Sequence, residues 1–211
     1  MNNLEDIFTK KEFLRKSVYD NLFKNGFSNR KNGDYGKIPD FKGSDIAALN
    51  LANTNQWKNA KTIFSSPDSA QIPVRYLALK DSKNLIMASP NLEHGYLFLN
   101  GEDISNLDDE IIHKAATKEG AFDYCSEIDE FPKVDLVVEG SVAVDKLGNR
   151  IGKGKGFADR EITDLINRGL ISTNTPLVTT IHPLQLVDSV PMEDHDMKLN
   201  MIVTTEEVFI I

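Results

Sequence analysis

The chain is short of cysteine, of long apolar runs and of positive charge. A single cysteine, Cys125, stands in 211 residues, so no disulfide can form within the chain. No apolar run approaches the ~20 residues of a membrane-spanning helix. The opening MNNLEDIFTKKEF lacks the apolar core of a secretory signal. Lys and Arg number 24 against 32 Asp and Glu, a net charge of -8. That balance argues against general nucleic-acid binding, which leaves a basic footprint. Any anion site must therefore be local. The four histidines show no metal-ligand spacing, and Cys125 has no basic neighbour to activate it. A cytoplasmic protein, monomer or homodimer, with no membrane and no nucleic-acid partner, is the expectation.

What remains is ordinary for a globular domain: 40% hydrophobic and 27% charged residues. Leu14, Val18 and Leu22 recur at four-residue spacing and predict a helix over 3–25, stopped by Asn25-Gly26. Ser44 is a good N-cap for a second helix reaching about Asn59. KTIFSS and NLIMAS read as strands around a helix, IPVRYLALKDS, whose Pro73 suits a first turn. NLDDEIIHKAATKEG reads as a helix with acids early and a lysine late, as the helix dipole prefers. VDLVVEGSVAVD has two near-continuous apolar runs, the mark of a strand buried on both faces. DREITDLINRG is a helix, and PLVTTIH, LNMIVTT and VFII are the last strands. Strands alternating with helices predict one α/β domain over 1–211: three layers, an open and largely parallel sheet with helices on both faces, Rossmann-like.

Within this frame, residues 150–160 read RIGKGKGFADR. Gly152, Gly154 and Gly156 follow a buried strand and precede a helix starting near Asp159. Glycines let backbone N–H groups approach an anion, and a helix N-terminus adds partial positive charge. Arg150, Lys153 and Lys155 add full charges. The spacing matches neither G-x-x-x-x-G-K-[ST] nor G-x-G-x-x-G. A solvated basic loop is the other reading. The strand before, the helix after and three cations inside favour an anion site.

DLVVEGSVAVDKLGNRIGKGKGFADRE resembles the signature of the 5-formyltetrahydrofolate cyclo-ligase family. KKEFLR is similar to the family's N-terminal Lys-x-x-x-Arg, and VPMEDHDMKLNMIVTT to its C-terminal stretch. RKNGDYGKIPDFKGSDIAALNL and VRYLALKDSKNLIMASPNLEHG are similar to one branch, the methenyltetrahydrofolate synthetase domain-containing proteins. The resemblance implies a reaction. ATP phosphorylates the formyl oxygen of 5-formyltetrahydrofolate, N10 attacks the activated carbon, and phosphate leaves to give 5,10-methenyltetrahydrofolate. It also implies roles. Lys11 and Arg15 would hold ATP phosphates from the first helix; Gly152, Gly154 and Gly156 would wrap them. Arg150, Lys153 and Lys155 would supply charge, with Lys153 nearest the γ-phosphate and Lys153 and Arg150 the catalytic pair. Asp159 and Asp196 would hold Mg²⁺. Phe157, Phe41 and Pro90 would line the folate pocket. Asp159 equally suits the first turn of a helix.

The chain departs from the family's catalytic pattern where two tyrosines usually follow the third glycine: Phe157-Ala158 stands there. Both hydroxyls are lost on the folate side, not the phosphate side. Two functions are thus compatible with the sequence. One is an ATP- and Mg²⁺-dependent cyclo-ligase acting on a reduced folate. The other is a non-catalytic nucleotide- or folate-binding protein of the same fold, serving as sensor or interaction module.

Overall fold

The computed structural model describes residues 3–89, 95–193 and 196–211. The first helix, α1, covers Asn3–Lys24. The stretch expected to be one helix from Ser44 is two, α2 (Ser44–Ala52) and α3 (Asn55–Asn59). Thr54 causes the break: its hydroxyl accepts from Trp57 N and donates to Leu51 O, capping the new helix. The cap of α2 is Gly43, at φ +89°, rather than Ser44. Then come β1 (Thr62–Ser65), α4 (Ile72–Lys80, with Pro73 in its first turn) and β2 (Asn84–Ala88). A strand that the sequence reading passed over follows, β3 (Tyr96–Leu99), whose run YLFL is apolar and bounded by Gly95 and Asn100, and three short helices: α5 (Gly101–Ser105), α6 (Asp109–Ala115) and α7 (Ala121–Tyr124). The helix expected over 106–120 is thus shorter than its pattern.

VDLVVEGSVAVD is not one strand. Leu136–Glu139 forms β4 and Ala143–Asp145 forms β5, in different sheets. The chain returns as β6 (Arg150–Ile151), then α8 (Phe157–Asn167), β7 (Leu177–Thr180), β8 (Leu186–Val187), β9 (Met201–Val203) and β10 (Val208–Ile210). The main sheet has the order β10-β9-β7-β4-β1-β2-β3. Its five middle strands are parallel, and both edges are antiparallel. A small sheet, β6-β5-β8, lies beside it.

Period-2 alternation sorts the side chains into layers. Ile63, Leu136, Val138 and Val178 face α2 and α4 through Ala48, Leu51, Val74 and Ala78. Phe64, Ile86, Val137 and Ile202 face Ile162 and Leu165 of α8. α1 lays Val18, Tyr19 and Leu22 over Val142, Ala143 and Ile151 of the small-sheet segment. This is the three-layer α/β arrangement. Among the described residues, no helix is long and apolar enough to cross a membrane.

One turn fixes the approach to the glycine run. Asp145, 1% exposed, accepts from Leu147 N, Asn149 N, Asn149 Nδ2 and Val190 N. Gly148 sits in this turn at φ +80°, and a Cβ there would lie 2.4 Å from Leu199 O. Gly148→Ala therefore combines backbone strain with a clash against backbone. It is expected to cost about 2–4 kcal/mol, read as a lower denaturant midpoint.

Candidate active site

Ligands of open α/β sheets sit at the carboxyl ends of the strands. There, a cleft of about 790 Å³ separates the main sheet from α1 and the glycine run. Its floor is made by Ser66, Pro67 and Asp68 after β1, Ser89 after β2, and Glu139-Gly140 at the end of β4. Residues 150–159 form one wall, and Phe8, Lys11 and Arg15 of α1 another.

The run RIGKGKGFADR starts in β6, an edge strand of the small sheet, not in the buried central strand. Gly154 and Gly156 both take left-handed backbone, φ +87° and +63°. Gly156 is the residue before α8, which begins at Phe157, two residues earlier than the sequence pattern places it. Arg15 Nε donates to Gly152 O at 2.7 Å, tying α1 to the loop. A Cβ on Gly154 would meet the Arg15 guanidinium at 3.4 Å. The four-residue spacing of Lys11 and Arg15 puts both on one helical face, toward the cleft.

Lys11, Arg15, Arg150 and Lys153 on these walls are each held by a carboxylate of the chain. Lys11 Nζ donates to Asp196 Oδ2 at 2.6 Å and to Glu193 Oε2 at 2.7 Å. Burial works against its charge, but these two acids outweigh it and raise the ammonium above the usual lysine value. Arg150, 4% exposed, pairs with Asp159, and its Nε has no partner among the described residues. Lys153 Nζ donates to Asp68 Oδ1 at 2.9 Å, a bridge from the glycine loop to the main sheet. Lys153 and Arg160 flank the Phe157 ring, with Nζ 5.7 Å and Cζ 4.8 Å from its centroid.

Lys11, Arg15, Arg150, Gly152, Lys153, Gly154, Lys155, Gly156, Phe157, Asp159 and Asp196 thus all line one cleft. Asp159 and Asp196, 37 positions apart in sequence, share a wall: Met197 N donates to Asp159 Oδ1 at 3.4 Å. Phe41 is the correction. It is fully buried, packed with Val18, Leu22 and Ala47 and edge-on to His182 at 6.1 Å, and does not line the cleft. Its loop instead offers Lys37 and Ile38. Pro90 lies outside the described residues.

Several cleft residues had no place in the sequence reading. Asp68 and Glu193 are two; others are the buried acids Glu139 and Glu161, 1% and 5% exposed. Their signal was present: an acid ending the apolar strand LVVE, and another on the inward face of α8. Burial, then Glu161, pushes the Glu139 carboxyl well above its usual range, against the pull of Arg150. Burial, then Asp68, raises Glu161 to about 7.

A carboxyl raised in the folded state stabilises the fold below its unfolded value, here 4.5, and loses that contribution as pH rises toward its folded value. His182 works the other way: burial lowers it, so its penalty appears as pH falls below 6.5. Comparing Glu139→Gln with wild type cancels the histidine. The variant's melting temperature is expected to gain on wild type progressively as pH rises above 4.5. A constant difference between pH 5 and 8 would contradict a raised Glu139.

The 5-formyltetrahydrofolate cyclo-ligase family model matches residues 9–205. A methenyltetrahydrofolate synthase domain-containing protein from Bos taurus is 35% identical over 203 residues, 94% of this chain and 53% of its own. The Homo sapiens protein of that name is 34% identical over 94% of this chain and 52% of its own. The chain thus spans about half the length of these relatives. Among solved structures, the Aquifex aeolicus 5,10-methenyltetrahydrofolate synthetase shares the fold with a TM-score of 0.59 at 21% identity, covering 95% of this chain and 92% of that one.

Proposed function

The chain belongs to the 5-formyltetrahydrofolate cyclo-ligase family, and on that premise we propose that it is an ATP- and Mg²⁺-dependent cyclo-ligase. Its substrate would be 5-formyltetrahydrofolate, and its products 5,10-methenyltetrahydrofolate, ADP and phosphate. One observation carries the reading. A single cleft at the carboxyl ends of the strands gathers Lys11, Arg15, Arg150, Lys153 and Lys155 beside a left-handed glycine loop and a helix N-terminus. Phosphoryl transfer needs positioning and charge neutralisation above all, and this wall supplies both.

The internal ion pairs fit the same reading. Each carboxylate now bound to Lys11, Arg150 or Lys153 occupies a direction that a phosphate oxygen can take. Lys153 would turn from Asp68 to the γ-phosphate, and Lys11 and Arg150 would serve the other phosphates. Mg²⁺ usually takes one or two carboxylates and completes its shell with phosphate oxygens and water. Asp159 and Asp196, on one wall, fit that demand. Among the described residues no cluster of three or more His, Cys, Asp or Glu forms an all-protein cage. Bound there, Mg²⁺ would neutralise charge on the transferring phosphoryl group.

Phe157 would stack on the substrate ring without offering a hydroxyl, and Ala158 leaves room beside it. Turnover is therefore slow. Phe157→Tyr restores one hydrogen-bonding hydroxyl and is expected to raise turnover roughly 2- to 10-fold, the worth of one such bond. Initial rates of methenyl absorbance check this. Binding of ATP and folate without turnover in both proteins would instead select the non-catalytic reading, which Phe157-Ala158 favours.

A further inference from the structure

Among the described residues, nothing uses several acceptor oxygens on the floor of the cleft. Glu139 is 1% exposed, lines the cleft, and its Oε1 has no hydrogen-bond partner. Ser66, its neighbour across the β1–β4 seam through Ser66 N to Val138 O, is 2% exposed, and its Oγ has none either. Asp68 Oδ2 and Gln71 Oε1 crowd Gly140, at 3.0 and 3.1 Å from where a Cβ would stand, and Gln71 Oε1 is again without a partner. The nearby cations do not serve Glu139: Arg150 pairs with Asp159 and Lys153 with Asp68.

Leaving a buried carboxyl oxygen unpaired costs stability. Such a cost is tolerated where a ligand supplies the missing partner. The phosphates belong at the other wall, with the glycine loop and α1, and Glu139 would repel them. Two parallel N–H donors on a planar group match a carboxylate best, and their hydrogen bonds would hold Glu139 in its ionised form against the burial that raises it. A 2-amino-4-oxopyrimidine ring presents that pair, in its ring N–H and exocyclic amino group. Adenine does not.

We propose that Glu139 is a specificity-determining residue of this cleft, accepting the ring N–H and the exocyclic amino group of a 2-amino-4-oxopyrimidine edge. The inference rests on the cleft being the ligand site proposed above. That edge occurs in the pterin of a reduced folate and in guanine.

Calorimetry on the full chain separates the sources. 5-Formyltetrahydrofolate is compared with its 2-desamino analogue, and GTP with ITP, which lacks the 2-amino group. Wild type is expected to prefer the 2-amino member of one pair by roughly 10- to 100-fold, the range for bonds to a charged group. Preference in the folate pair identifies the pterin; preference in the nucleotide pair identifies guanine. Glu139→Gln, with one donor where two acceptors stood, is expected to abolish that preference. Equal binding within both pairs by wild type overturns the proposal without any variant. So does a preference that survives in Glu139→Gln, or no binding of either 2-amino ligand. The phosphate wall is tested separately, by ATP binding in Lys153→Ala, so failure of one is not failure of the other.

Discussion

Lys153→Ala is expected to weaken MgATP binding roughly 10- to 100-fold, the loss of a hydrogen bond to a charged group. Lys153 is one of three cations in the glycine run, and it reaches across the cleft to Asp68 at 2.9 Å. Asp68 competes with the incoming phosphate for the ammonium. Asp68→Asn should therefore tighten ATP binding modestly where Lys153→Ala weakens it. Opposite signs from the two ends of one ion pair separate ligand binding from a general loss of structure. Isothermal titration with MgATP reads both, and equal affinity in wild type and Lys153→Ala would remove Lys153 from the phosphate site.

A large effect on stability, matching that of Gly148→Ala, is expected at Arg75. Its side chain is fully buried in α4, and it donates through Nε to Ala116 O at 2.7 Å, and through Nη1 to both Ser66 O and, at 3.2 Å, Asp68 O. Burial lowers it to about 10, with Asp68 and Glu119 acting against that, so it stays charged at neutral pH. Arg75→Leu strands three carbonyls but removes a costly buried charge, and the two partly offset. A net loss of about 2–4 kcal/mol remains, or roughly 5–15 °C in melting temperature. Because Ser66 and Asp68 sit on the loop that Arg75 holds, ATP affinity should change with it. An unchanged melting temperature would contradict the structural role.

How much of this was legible in the sequence depended on what each residue answers to. Local rules were read well: the glycine run, Pro73 at a helix start, Lys11 and Arg15 on one face. The parallel sheet followed from apolar runs alternating with helices. What failed was set by partners far along the chain. VDLVVEGSVAVD is one apolar pattern, yet β4 pairs with β1 and β7 while β5 pairs with β6 and β8. Periodicity cannot report a change of sheet. The resemblance places Phe41 on the pocket wall, but the chain turns its ring into the core beneath α1. Asp68, an ordinary turn residue by sequence, acquires its place only when Lys153 arrives from 85 positions away. Glu139 did carry a signal, an acid closing a strand buried on both faces, and it marks the floor of the cleft.

The cyclo-ligase reading meets its most direct test in a single turnover. Protein is mixed in excess over 5-formyltetrahydrofolate with MgATP, and methenyl absorbance is followed alongside ADP. The expected result is slow formation of one methenyl product per ADP, absent without ATP and strongly reduced in Lys153→Ala. No methenyl product at protein concentrations matching the substrate, in wild type and in Phe157→Tyr alike, would contradict it.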